Sequence, residues 1–368
     1  MTNMGKGETM AVLDDFDWKK LCSCWERWHR GESREPMFNV AVTPPAGSVK
    51  CPRHYLSMYD FSIPAAEILD EIEAYAEQCA YFGGAYPSAW LNFGPGVLAA
   101  MVGGEGHNGM DTVWFTPGKW SGMTPDRIHP RLDRSSPWFR RIEEFLLAAR
   151  ERNGRLQIGC TDLGGTLDVM NSLVPGEELL YALYDSPQEI KRLSGEIHEA
   201  WFEAFDYFGG ILPENHGFSA WDGTLSALPY YILQCDFCYM ISPEMFGEFV
   251  LPELRQSCRR LGRCFYHLDG KGELPHLPQL LEIEELGGVQ WVPGAGGGTP
   301  LEWLDVYRTI AAANKKMWVS LDGDFDGTAR LIEAVGRPEL FVICGSVPAE
   351  RETELRDFIN CFRRFKTA

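Results

Sequence analysis

Arg263-Cys264-Phe265-Tyr266-His267-Leu268-Asp269-Gly270 is a short apolar run that ends in a histidine and a carboxylate two residues apart. In a strand, residues i and i+2 leave the backbone on one side, so His267 and Asp269 face a shared space. Two metal ligands, or an acid and a base, can be placed from one element in this way. A continuous apolar run also marks a strand covered on both faces, as in a parallel sheet.

Similar runs recur on either side of it, at 38–42, 89–92, 156–162, 217–222, 288–292, 316–322 and 340–344. Between them the apolar period returns to that of a helix, at 64–82, 136–153, 187–208, 243–261, 300–314, 326–335 and 349–364. Strands alternating with helices, and not with hairpins, predict a parallel sheet. Eight of them over 368 residues predict an α/β fold closed as a (β/α)8 TIM barrel. An open doubly wound sheet carries a Gly-rich turn after its first strand, where this chain has Thr43-Pro44-Pro45. Residues 1–36 read as an N-terminal helical extension with Trp18, Leu21, Cys22, Trp25 and Trp28 on one face, and residues 37–368 as the barrel. A long Gly-rich insertion after the second strand, containing Trp114 and Trp120, reads as a lid or a binding segment.

The balance of 34 basic and 52 acidic residues leaves a net charge of −18, which excludes the basic footprint that nucleic acid or an anionic membrane requires. No secretory signal is legible in the first residues, and no apolar run is long enough to span a bilayer. Eleven cysteines without such a signal predict free thiols in a cytoplasmic protein.

In a barrel of this kind the site is built at the carboxyl ends of the strands. Those ends supply Asn92, Asp162, Asp222, His267 with Asp269, Gln290 with Trp291, Asp322 and Cys344. An imidazole, a carboxylate and a thiolate are ligands that zinc accepts, so His267, Asp269 and Cys344 form a candidate metal set. The same residues read equally as a hydrogen-bonded His–Asp pair beside an unrelated buried cysteine. Cys235-Asp236-Phe237-Cys238 has the CxxC spacing, but without a second pair at zinc-ribbon distance or a thioredoxin-like unit it reads as structural.

Phe265-Tyr266-His267-Leu268-Asp269-Gly270, Gln290-Trp291-Val292-Pro293-Gly294-Ala295-Gly296 and Thr161-Asp162-Leu163-Gly164-Gly165-Thr166-Leu167-Asp168 resemble the uroporphyrinogen decarboxylase superfamily. They are closest to its decarboxylase-like corrinoid methyltransferases, proteins labelled trimethylamine corrinoid proteins. The resemblance runs from about Phe38 to the C-terminus and implies the (β/α)8 barrel. In the zinc-dependent methyltransferases of that superfamily the ligands resemble a His-x-Cys pair and a late Cys, which fall here on His267, Asp269 and Cys344. The aspartate replaces sulfur, so the resemblance implies either a harder ligand set or an acid/base role for Asp269.

The function expected from this resemblance is metal-assisted transfer of a methyl group between a small O- or N-methylated substrate and a corrinoid carried on a partner protein. One zinc ion would be held at His267, Asp269 and Cys344. Asp269, Asp222 and Asp162 are the candidate catalytic carboxylates. Asn92, Trp221, Tyr239, Gln290, Trp291 and Asp322 are the candidate substrate contacts, and a homodimer is compatible with the chain. Two alternatives stand beside it. One is a metal-free decarboxylase-like lyase in which a rim carboxylate stabilises a protonated intermediate. The other is a corrinoid or small-molecule binding protein without chemistry.

Overall fold

The computed structural model describes residues 13–213 and 215–363. It contains eleven strands: β1 (Met37–Thr43), β2 (Ala80–Gly83), β3 (Ser88–Trp90), β4 (Glu105–Asn108), β5 (Val113–Thr116), β6 (Gln157–Gly159), β7 (Tyr230–Gln234), β8 (Arg263–Asp269), β9 (Gly288–Val292), β10 (Lys316–Ser320) and β11 (Phe341–Pro348). Seven of them form one sheet in the order β2-β1-β11-β10-β9-β8-β7, parallel throughout except for the antiparallel edge strand β2. β3 and β6 form a separate parallel pair, and β4 with β5 an antiparallel hairpin.

The chain is therefore a mixed α/β protein with a mostly parallel sheet, as the alternation of apolar runs predicted. Among the described residues the hydrogen-bonded ladder stays open, with β2 and β7 as its edges. Close approaches cross the space between β6 and β7. A Cβ on Gly165, in the loop after β6, would come within 2.1 Å of the Gln234 carbonyl oxygen, so only glycine fits there.

One expected strand is displaced. Residues 217–222 make only an isolated bridge, Phe218 with Ser226, and the strand of this region is β7, which begins at Tyr230. The misreading has a physical origin, because 215–222 lie alongside β6 without forming a ladder. Cys160 N–H donates to the Ser219 carbonyl at 2.8 Å, while the Gln157 amide donates to Gly217 O and Ser219 Oγ. The segment then turns at Gly223, whose φ of +71° suits glycine.

Two further differences are local. The helix expected over 64–82 ends at Ala76 and gives way to β2, and that expected over 243–261 divides at Val250 into Pro243–Phe249 and Leu251–Leu261. Pro252 explains the division, because its ring meets the preceding turn and it has no N–H to donate.

The helix Trp18–His29 covers the ends of strands at which β8 and β10 begin. Trp25 and Trp28 are 0% exposed. The Trp25 indole donates to Gly84 O at 2.9 Å, Lys316 donates to Trp28 O at 2.9 Å, and Glu26 pairs with Arg263. No helix of the described residues is long and apolar enough to cross a membrane.

Candidate metal centre

Strand alternation in β8 buries Cys264, Tyr266 and Leu268 on one side and leaves His267 and Asp269 half-buried on the other. On the neighbouring strand, Gln290 stands in register with His267, and its Oε1 lies 2.6 Å from His267 Nδ1. An amide oxygen can only accept, so Nδ1 is the donor of this bond and Nε2 is the ring nitrogen left for another partner. This arrangement, an outer amide fixing the tautomer of an inner imidazole, is what a metal-binding histidine requires.

The third group of this site comes from the turn after β7. Asp236, His267 and Asp269 each place a ligand atom such that all lie within 4.8 Å of one another. Asp236 keeps an accessible edge. Crowding by protein atoms still raises its carboxyl above the usual range, with His267 opposing the shift and Asp269 adding to it. Ligand atoms around a four-coordinate zinc stand roughly 3.3–3.5 Å apart, so a small inward adjustment would complete the set. One nitrogen and two oxygens make a harder donor set than one containing sulfur.

Beneath the three lie groups that burial keeps protonated. Asp168 is pushed up to about 8 by burial, with the charge of Asp236 adding to the effect. Glu273 is fully buried and pushed up to about 11 by burial first, then by Cys238 and Asp236. Above the site, the Tyr239 ring lies across Gly270 and Gly272, where a Cβ would come within 3.0 Å and 2.7 Å of it. The Trp221 ring meets His267 edge to face at 4.9 Å. Asp236 also borders a cavity of about 380 Å³, whose walls include Trp114 and Phe115 of β5, Asp168, Gln234 and Met240. Part of the Gly-rich insertion thus lies over this cavity as a hairpin.

Cys344 is not among the converging donors. It is buried on β11 beside Asn39, whose amide lies 3.6 Å from the sulfur, and it borders another cavity with Trp221, Asp222 and Trp318. Burial, reinforced by Asp222, holds its thiol well above the ordinary range, which disfavours a thiolate. Asp222 lies in the same region, accepts from the Tyr230 hydroxyl at 2.5 Å, and is pushed up to about 6 by burial. Asp162 closes the loop after β6, where it accepts from Gly164 N–H at 2.9 Å, and burial pushes it to about 6 as well.

The remaining expected contacts divide by the side of the strand they occupy. Gln290 faces His267, so its neighbour Trp291 must face the other way, where it packs on Trp303 at 5.3 Å. Asn92 is buried and accepts from Gly94 N–H at 3.1 Å. Asp322, in a left-handed conformation at φ +42°, accepts from the Ser320 hydroxyl in the loop after β10. Asp236 was missed because the strand it follows was placed at 217–222. The apolar run Tyr230-Tyr231-Ile232-Leu233 was the signal that could have found it.

No protein-family model matches this chain, and no curated protein sequence matches it. Among solved structures, twelve chains match. One is a methyltransferase from Methanosarcina mazei, 15% identical, superposing with a TM-score of 0.58 and covering 93% of this chain and 99% of its own. At that identity the likeness shows a shared fold across nearly the whole chain.

Proposed function

We propose that this protein is a methyltransferase in which Asp236, His267 and Asp269 hold one divalent metal, zinc in the first instance, next to a small O- or N-methylated substrate. The methyl acceptor in this reading is a corrinoid carried on a partner protein. The observation that carries it is the convergence of the three donors, with the His267 tautomer fixed by Gln290. The fold shared with a protein named a methyltransferase, and the resemblance of the β8 and β9 motifs, point the same way.

When bound, the metal would act as a Lewis acid on the oxygen or nitrogen that loses the methyl group. The chain's own residues do the rest. Gln290 engages Nδ1 of His267 and leaves Nε2 for the metal, and Trp221 packs edge-on against that ring and fixes its plane. Trp114 and Phe115 shape a cavity of a size suited to a small molecule. Asp168, protonated near neutrality, stands at the cavity wall as a proton source for a departing heteroatom.

The test is metal content followed by turnover. Purified protein should carry about one zinc per chain, lose it in Asp236→Asn and in His267→Ala, and transfer methyl to or from free cobalamin only with the metal present. Zinc retained by both variants, or methyl transfer unaffected by chelation, would overturn the reading. Carbon dioxide released from a carboxylated substrate by the chelated protein would favour the lyase, with buried Asp222 as its acid.

A further inference from the structure

The Cys235-Asp236-Phe237-Cys238 motif is left unused by the proposed chemistry, and its geometry gives it a second meaning. Cys235 immediately follows β7, and Asp236–Met240 winds as a 3₁₀ turn. Cys238 N–H donates to Cys235 O at 3.0 Å, which closes the chain between the two cysteines. A turn closed by such a bond brings its end α-carbons within roughly 7 Å of one another. That is close to the range of about 4.4–6.8 Å that a disulfide spans. The two thiols are close enough for each to perturb the other. Both cysteines are free and buried, at 2% and 0% exposure, whereas Tyr239 and Met240 of the same turn are 55% and 51% exposed. The pair therefore lies beneath a turn whose outer side chains reach solvent.

We infer that Cys235 and Cys238 form a reversible disulfide that controls the carboxylate between them. A peroxide is the oxidant. One sulfur attacks its O–O bond, gains a hydroxyl and releases water. The other sulfur then displaces that oxygen as a second water and the S–S bond forms, so that two thiols are oxidised and one peroxide is reduced. Bridging the turn draws its ends together and turns Asp236 away from His267 and Asp269. The disulfide itself is independent of the function proposed above; only its effect on metal rests on that reading.

The experiment uses the full chain, treated with hydrogen peroxide, freed of it, alkylated and digested with trypsin. The fragment from Leu193 to Arg255 contains Cys235 and Cys238 and no other cysteine, so the remaining nine cannot confuse the result. Loss of two hydrogens from that fragment, with neither cysteine alkylated and both recovered after dithiothreitol, is the expected result. Two alkylated cysteines, or cysteines carrying oxygen instead of a bridge, would overturn it. Zinc affinity, measured by chelator competition, should fall at least about tenfold on oxidation and return on reduction, in line with the effect of disturbing groups around a ligand. The Cys235→Ser/Cys238→Ser protein should bind zinc and ignore peroxide. A bridge that forms with unchanged zinc affinity refutes the control of Asp236. Reduced protein that binds no zinc refutes the metal centre and leaves the disulfide result standing.

Discussion

The two ends of the parallel strands are built from opposite materials. Where β8 and β10 begin, the helix Trp18–His29 seals the sheet with two fully buried indoles, Glu26 forms an ion pair with Arg263, and Lys316 donates to a carbonyl. Where β7 and β8 end, Asp236 and Asp269 crowd together around one imidazole, with protonated Asp168 and Glu273 behind them. Matched charges with apolar burial stabilise a fold. Like charges gathered at a partly dry site cost stability and are retained where they bind or react. One end is thus built for stability, and the other holds the donors on which the proposed function rests.

Mutation at each end should separate the two. The largest stability effect is expected from Trp28→Ala, which removes a fully buried indole and should cost about 3–5 kcal/mol in urea unfolding. Zinc bound per folded molecule should not change. A Trp28→Ala protein of normal stability would mean that the helix merely rests on the sheet.

Next comes Glu26, whose carboxyl is held down to about 2, chiefly by its hydrogen bond to Arg263. A depressed folded value means that the stabilisation is present above the ordinary carboxylate range and is lost as pH falls toward 2. Glu26→Gln should therefore cost up to about 3 kcal/mol at neutral pH, with the difference from wild type shrinking between roughly pH 4.5 and pH 2. A difference that does not depend on pH would show that the pair acts through packing alone.

A smaller effect, and at the other end, is expected from Gln290→Leu. It frees the His267 tautomer and should weaken zinc binding about 10–100-fold while leaving the urea midpoint nearly unchanged. If stability falls and zinc affinity does not, Gln290 belongs to the core and not to the metal centre. The smallest effect is expected from Cys344→Ala, which should leave zinc stoichiometry at the wild-type value. Loss of the metal in that variant would restore Cys344 to the ligand set and break the distinction drawn here between the β8 rim and the β11 cavity.

Much of this could be read along the chain. The helix with Trp25 and Trp28, the His267–Asp269 face and the strand carrying Gln290 all follow from side-chain periodicity, which is a local property. Periodicity also bore on a choice that was passed over, since Gln290 and Trp291 are adjacent in one strand and cannot both face the site. It could not distinguish 217–222 from 230–234. Both are apolar runs near a turn, and only the parallel pairing of 230–234 with β8 shows which of them is the ladder strand.

The sequence by itself determined that the protein is α/β, that its strands are covered, and that one strand ends in a histidine and an aspartate aimed at the same space. The tertiary structure decided what joins them. Asp236 and Cys344 lie 31 residues before and 77 residues after His267, and either distance along the chain is compatible with contact. Strand order and the side of the sheet each residue occupies bring Asp236 to the imidazole and leave Cys344 beside Asn39, because a ligand set is a relation among neighbours in space, which the order of residues does not specify.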